Sequence, residues 1–257
     1  MFHAPTLVHH LLGLRFGHPI YLFQQIGSTN EEARRLAEGG GQEGLIVVAE
    51  EQTAGRGRAG RKWITPAGSA IAFSLILRPP LPPARAARLT MLAGVAACEA
   101  IEQTTGLRAE LKWPNDVLIA GKKVAGILSE SAVLGDQLEY AVLGLGLNVS
   151  FAPLAAEVDF PATSLQAEAG REVDRLKLLR AILTGLEAHY PFLMDERLYQ
   201  NWRARLAMMG RPAWAHTESG AHRGRAEGVD ADGALIFRLD SGEALRLMAG
   251  DVRLRPI

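Results

Sequence analysis

Gly55-Arg56-Gly57-Arg58-Ala59-Gly60-Arg61-Lys62-Trp63 packs three glycines and four cations into nine residues. Glycine reaches backbone conformations that side chains forbid, and its exposed N–H groups can cradle an anion. Interleaved arginine supplies planar, permanently charged forks for carboxylate and phosphate. The surroundings amplify the signal. No Asp or Glu occurs between Gln52 and Cys98, where Arg56, Arg58, Arg61, Lys62, Arg78, Arg85 and Arg88 are all cationic. A 257-residue chain of zero formal net charge has gathered positive charge around one loop. That loop is expected to hold something anionic.

Working outward, the loop lies between two apolar runs, 45–49 and 70–77, each predicted to be a buried strand. Upstream, Gly27-Ser28-Thr29-Asn30-Glu31-Glu32 reads as a helix start. Ser28 or Thr29 would cap it, with Glu31 or Glu32 at capping-box distance, and Gly39-Gly40-Gly41 would stop it. Downstream, 83–104 shows helical spacing and ends at Gly106. Strand-like runs follow at 109–113, 117–119, 125–130 and 140–149, then amphipathic helices at 176–186 and 196–208. After Met209-Gly210-Arg211-Pro212 the pattern becomes short alternating runs at 225–229, 234–239 and 244–248, separated by Asp, Ser and Gly turns. The expected architecture is α/β (α+β): a mixed sheet flanked by helices over 1–208, then a small β-barrel over 209–257.

Composition narrows the class. The hydrophobic fraction of 48% and charged fraction of 22% are ordinary for a globular chain. Balanced charge argues against a dedicated nucleic-acid binder, which is usually basic overall. No apolar run approaches the ~20 residues that span a bilayer, and Met1-Phe2-His3-Ala4-Pro5 does not begin a secretory signal. The single cysteine, Cys98, excludes an internal disulfide and is expected on a buried helix face. A cytoplasmic setting is the resulting expectation.

Several chemistries compete for the loop. Gly55, Gly57 and Gly60 match G-x-G-x-x-G, but no acidic residue lies about 20 positions on to hold a ribose, and Arg61-Lys62-Trp63-Ile64-Thr65-Pro66 opens no helix. A Walker A loop needs Lys then Ser or Thr after its last glycine, and Arg61-Lys62 does not comply. A phosphate-binding nucleic-acid patch and a merely solvated loop also fit it. Three further clusters bear on the choice. Lys112-Trp113-Pro114-Asn115-Asp116 places Lys and Asp across a turn, suited to phosphate and Mg²⁺ or simply to turn chemistry. Lys123 follows in Gly121-Lys122-Lys123-Val124-Ala125-Gly126-Ile127-Leu128-Ser129-Glu130. In Gly144-Leu145-Gly146-Leu147-Asn148, alternate glycines bare one strand face, against which either a flat ligand or a helix could lie, with Asn148 on the same side.

Taken in order with Gly27-Ser28-Thr29-Asn30 and Glu50-Glu51-Gln52-Thr53-Ala54, these clusters resemble the biotin–protein ligases from about residue 20 to the C-terminus. Under that resemblance the tail is the family's small SH3-like domain. It implies formation of biotinyl-5′-AMP from biotin and MgATP, then transfer to a lysine of a biotin carboxyl carrier protein or domain of a biotin-dependent carboxylase. Ser28, Thr29 and Gln52 would bind the ureido ring, with Asn30 nearby. Arg56, Gly55 and Gly57 would cover the carboxylate, which Lys123 would contact. Gly126, Gly144 and Gly146 would line the biotin slot. Arg58, Arg61 and Lys112 would meet ATP phosphates, with Trp63 packing and Asn115 close by. Asn148 would recognise adenine, and Arg255 or its neighbour Arg253 would reach back to the nucleotide. Asp116 would hold Mg²⁺ and orient or deprotonate the carrier lysine.

Many members carry an N-terminal DNA-binding domain. Only 27 residues precede Ser28 here, so no specific DNA binding is expected. Ala59 stands where some relatives have arginine. A homodimer through a sheet edge near 140–150 is consistent with the pattern, and 151–175 has no assigned element. The rival reading on the same scaffold is a lipoate or octanoate ligase or transferase. Its aliphatic substrate would leave the polar Ser28-Thr29-Gln52 group unpaired at ~1–3 kcal/mol each. A non-enzymatic nucleic-acid-binding module leaves Lys112-Trp113-Pro114-Asn115-Asp116 unexplained.

Overall fold

Seven strands form one mixed sheet: β1 (Ile20–Ile26), β2 (Ile46–Gln52), β3 (Ala70–Leu77), β4 (Glu110–Lys112), β5 (Asp116–Ile119), β6 (Lys122–Leu134) and β7 (Gln137–Asn148). The computed structural model describes residues 1–153, 160–217 and 220–248, with the backbone of 253–256. The strand order is β1-β2-β3-β7-β6-β5-β4. The β1–β2 pair is parallel, and the other neighbours are antiparallel. A parallel pair cannot be closed by a tight hairpin. After α1 (Ala4–Leu11), the helix α2 (Thr29–Glu38) makes the β1–β2 crossover.

The alternation along β3 and β7 separates core from site. Ile71, Phe73, Leu75, Leu77, Leu143, Leu145 and Leu147 face the main core, built with α3 (Ala87–Thr105), α4 (Leu165–Ala169), α5 (Arg175–His189) and α6 (Glu196–Ala204). Fully burying each such side chain contributes ~1.5–3 kcal/mol. On the opposite face Ile76, Tyr140 and Val142 pack with Ala33 and Ala37 of α2. Further along that face the pairs Ser74↔Gly144, Ala72↔Gly146 and Ala70↔Asn148 replace bulk with small and polar groups. Where helix cover stops, the strand face is bare.

Several expectations need correction. Ser28 is the N-cap of α2, but its hydroxyl makes no capping bond. Glu32 pairs with Arg35 and Glu31 with Arg56 in place of a capping box. The helix expected at 196–208 ends at Ala204. The stretch 140–150 is no sheet edge: β7 lies between β3 and β6, and the terminal strands are β1 and β4. Cys98 is fully buried on α3 as expected, and burial pushes its thiol pKa up to about 12, so it is an inert core residue. No helix among the described residues is long and apolar enough to cross a membrane.

The second sheet is antiparallel and five-stranded, in the order β11-β10-β9-β8-β12. Its strands are β8 (Pro212–Thr217), β9 (Gly220–Val229), β10 (Leu235–Leu239), β11 (Ala244–Leu247) and β12 (Arg253–Pro256). Asp230 Oδ1 accepts from the N–H groups of Asp232 and Ala234, fixing the turn before β10. That turn docks on the larger domain. The Trp113 indole donates to Gly233 O at 2.9 Å, Tyr199 OH donates to Val229 O at 2.6 Å, and Arg85 pairs with Asp232 at 2.7 Å. The small SH3-like domain thus buttresses Trp113, beside Lys112 and Asn115.

Candidate active site

A cavity of about 430 Å³ opens on the bare face of β6 and β7. The N-terminus of α2, the basic loop, the β4–β5 turn and residues Pro153, Phe160 and Ala162 complete its walls. Four sequence clusters far apart in the chain therefore meet in one place. Its two ends differ in chemistry.

One end is neutral and hydrogen-bonded. Gln52 Oε1 accepts from the Thr29 backbone N–H at 2.9 Å and lies 3.1 Å from Thr29 Oγ1. Asn30 Nδ2 donates to Glu130 Oε2 at 2.7 Å and to Leu128 O at 3.3 Å. Ser74 Oγ lies 2.6 Å from Asn30 Oδ1 and 2.8 Å from Thr29 Oγ1. Ser28, Thr29 and Asn30 are all buried. Gly144 is needed here, because a Cβ on it would overlap the Asn30 amide oxygen. The glycine was expected to admit ligand directly; it makes room for Asn30.

The other end is cationic. Asp116 Oδ1 pairs with Lys123 Nζ at 2.5 Å, and Oδ2 with Lys112 Nζ at 3.6 Å. Phe160 lies over the Lys112 ammonium, 4.8 Å from Nζ to ring centre. Burial lowers the Lys112 pKa, with Lys123 and Arg61 acting in the same direction and Asp116 opposing. Burial alone would raise the Asp116 carboxyl, but Lys123, Lys112 and Arg61 outweigh it and hold it below the usual range. Arg58, Arg61 and Lys62 line the same end, and Asp116 is the one acidic side chain among the described lining residues. The excess of positive charge is what an anionic ligand would neutralise.

The basic loop is a small hairpin. Trp63 N–H donates to Gly55 O at 2.8 Å, and Gly57 N–H to Arg61 O at 2.6 Å. Its tip, Arg58–Gly60, carries Ala59 at φ 53° and Gly60 at φ 70°, both left-handed. Gly55 does not line the cavity: a Cβ there would overlap Trp63 O, so this glycine closes the hairpin. Arg56 pairs with Glu31 across the cavity mouth, so α2 supplies the counter-charge that the loop lacks. Trp63, expected at the nucleotide, lies on the glycine platform, where a Cβ on Gly146 would overlap its indole and one on Gly126 would stand 3.3 Å away. Lys123 Nζ sits 5.6 Å from its ring centre.

The expectations for Asn115 and Asp116 change, while Asn148 keeps one group for ligand. Asn115 Nδ2 donates to Ile127 O at 2.6 Å, so its amide clamps the β4–β5 turn. Asn148 Nδ2 donates to Thr163 O at 3.0 Å, leaving its carbonyl oxygen for any ligand. Asp116 does not fit as a Mg²⁺ ligand, since ammonium groups engage both its oxygens. The described residues also contain no cluster of three His, Cys, Asp or Glu able to hold a metal. Its depressed pKa makes it a poor proton acceptor as well, and a good holder of two lysines. The side chains of Arg253 and Arg255 lie outside the described residues.

Ser74, Glu130, Pro153, Phe160 and Ala162 carried no expected role. Ser74 has one sequence signal, as the lone hydroxyl in an otherwise apolar strand. Phe160 and Ala162 have none, because 151–175 lacks periodicity.

Comparison with known proteins bears on the chemistry of both ends. The Biotin/lipoate A/B protein ligase family matches residues 22–148, and the Biotin protein ligase C terminal domain matches 216–255. The biotin–[acetyl-CoA-carboxylase] ligase of Paracoccus denitrificans is 40% identical over 223 residues, covering 84% of this chain and 92% of that protein. The bifunctional ligase/repressor BirA of Bacillus subtilis is 36% identical over 238 residues, covering 89% and 72%. Among solved structures, the biotin protein ligase from Aquifex aeolicus in complex with biotin and ATP superposes with a TM-score of 0.79 at 27% identity, covering 93% of this chain and all of that one. The first family model spans both biotin and lipoate enzymes. The second, together with these relatives, separates them, and the chain belongs to the biotin protein ligases.

Proposed function

We propose that the chain joins the biotin carboxylate to the α-phosphorus of ATP, supplied as its Mg²⁺ complex, releasing pyrophosphate. The acyl carbon of the resulting biotinyl-5′-AMP is then attacked by a lysine amine of a biotin carboxyl carrier domain of a carboxylase, and AMP leaves. The observation that carries this reading is a single cavity joining a neutral, hydrogen-bonding end to a strongly cationic one. A carboxylate and a triphosphate repel each other, and fixed cations in a site shielded from water offset that repulsion strongly.

In this reading the ureido ring lies against Ser28, Thr29 and Gln52, and the valeryl chain runs along the Gly126–Gly146 platform beneath Trp63. Lys123 contacts the carboxylate. Lys112, Arg58 and Arg61 contact phosphate oxygens, while the free carbonyl of Asn148 accepts from the adenine amino group. Asp116 positions the two lysines. Arg56 leaves Glu31 to cover the acyl end, so the hairpin closes as a lid that keeps water from the mixed anhydride.

Biotin-dependent exchange of pyrophosphate into ATP tests the first half-reaction, with lipoate and octanoate in parallel. Exchange with biotin alone supports the reading. Exchange only with the aliphatic acids would move the substrate within the scaffold, and none from folded protein would reject the adenylation chemistry.

A further inference from the structure

The hydrogen bonds around Thr29 can be assigned by counting protons. Glu130 and Leu128 O offer acceptors, so Asn30 must turn its amide Nδ2 towards them, which directs Oδ1 at Ser74. Ser74 has one hydroxyl proton, and Asn30 Oδ1 has none to give, so Ser74 donates to Asn30. Thr29 then has one proton for two oxygens, Ser74 Oγ at 2.8 Å and Gln52 Oε1 at 3.1 Å, and the shorter contact takes it, so Thr29 donates to Ser74. Nothing remains to bridge the 3.1 Å between Thr29 Oγ1 and Gln52 Oε1. Gln52 cannot turn its amide nitrogen there, because Oε1 accepts the Thr29 backbone N–H. Two lone-pair-bearing oxygens therefore face one another at the cavity wall, each wanting a donor.

We infer that Glu130, acting through Asn30 and Ser74, fixes Thr29 as an acceptor and thereby makes the Thr29–Gln52 pair a receptor for a ligand N–H. Glu130 and Ser74 are positioning residues for substrate selection. Ser74 is fully buried, and Glu130 is exposed. The inference rests on the biotin reading above, and gives the site a preference for an N–H-bearing cyclic urea over a purely aliphatic acid. Without the relay, Asn30 can rotate, the proton chain reverses, and Thr29 donates to Gln52. The wall then presents a satisfied pair with no demand for a donor.

The test is calorimetric binding of biotin and of the two cyclic carbamate analogues in which one ureido N–H is replaced by ring oxygen. Wild type is expected to bind biotin over at least one carbamate by about tenfold or more, since the analogue sets a third lone pair against two. Glu130→Leu and Ser74→Ala are expected to bring that ratio to about threefold or less, whereas Glu130→Gln, which keeps an acceptor for Asn30, restores it. A merely structural network would weaken both ligands together and leave the ratio unchanged, and that result overturns the inference. Equal binding of biotin and both carbamates by wild type also overturns it while leaving the biotin reading intact. Binding of none of the three by folded wild type rejects the biotin reading and the inference with it.

Discussion

The two ends of the cavity stabilise themselves in opposite ways. At the neutral end the side chains are fixed in place by neighbours: Glu130 holds Asn30, Asn30 holds Ser74, and the Thr29 backbone holds Gln52. At the other end two lysines share one carboxylate, with Arg58, Arg61 and Lys62 nearby and no second acid among the described lining residues. The buried Glu50–Arg175 pair shows what balance looks like in this chain. Arg175 meets both Glu50 oxygens, at 2.9 and 3.2 Å, and lies over Phe2. Such a pair completes a core. Lys112 and Lys123 are held together by the fold at a cost, because like charges repel more strongly where Lys112 is buried from water, and ligand relieves that cost. One end is positioned before substrate arrives and asks only for a donor; the other takes its counter-charge from substrate.

The largest effect expected is at the unbalanced end. Lys123→Met removes the 2.5 Å partner of Asp116 and the proposed carboxylate contact. Pyrophosphate exchange should fall by about 10²–10³-fold, the usual consequence of deleting one preorganised charge-stabilising group. A loss under about tenfold would place the carboxylate elsewhere. At the neutral end, Gly144→Ala drives a methyl into Asn30, which Glu130, Leu128 O and Ser74 prevent from moving. Its cost should be ~1–3 kcal/mol of stability by denaturant titration, with a raised KM for biotin. Gly146→Ala meets Trp63, which belongs to the loop hairpin and can shift, so its stability cost should be smaller.

Asp116→Asn sharpens the contrast through pH. Asp116 raises the Lys112 pKa against the lowering by burial, Lys123 and Arg61. Without it the Lys112 pKa falls further, so the alkaline limb of kcat/KM for exchange should move to lower pH. An unmoved limb would show that Lys112 need not be charged for the reaction. The smallest effect belongs to the cavity mouth. Glu31→Gln breaks a solvent-exposed pair with Arg56 and should cost ~0–1 kcal/mol in thermal unfolding.

The cationic end was the more legible in sequence. Gly55–Trp63 and Lys112–Asp116 announce themselves by residue type, and charge excess shows without knowing the fold. The neutral end depends on register. Ser74 matters because it stands opposite Gly144, and Glu130 because β6 brings it to α2, neither of which spacing alone reveals. Asp116 was legible as a site residue but not as the counter-ion of two lysines, since Lys123 reaches it only through the β5–β6 pairing. Among the fold elements, β3, α3 and β7 carry clear runs or periodicity. The edge strand β1 has a mixed burial pattern and gave no alternation to read.

The division of labour between the two ends is tested most directly by a kinetic split in biotin-dependent pyrophosphate exchange. Gln52→Leu is expected to raise KM for biotin by about tenfold with kcat little changed, and Lys112→Met to lower kcat by about 10²-fold with KM for biotin little changed. If both substitutions change the same parameter to the same extent, the cavity acts as one undivided binding surface, and the account is contradicted.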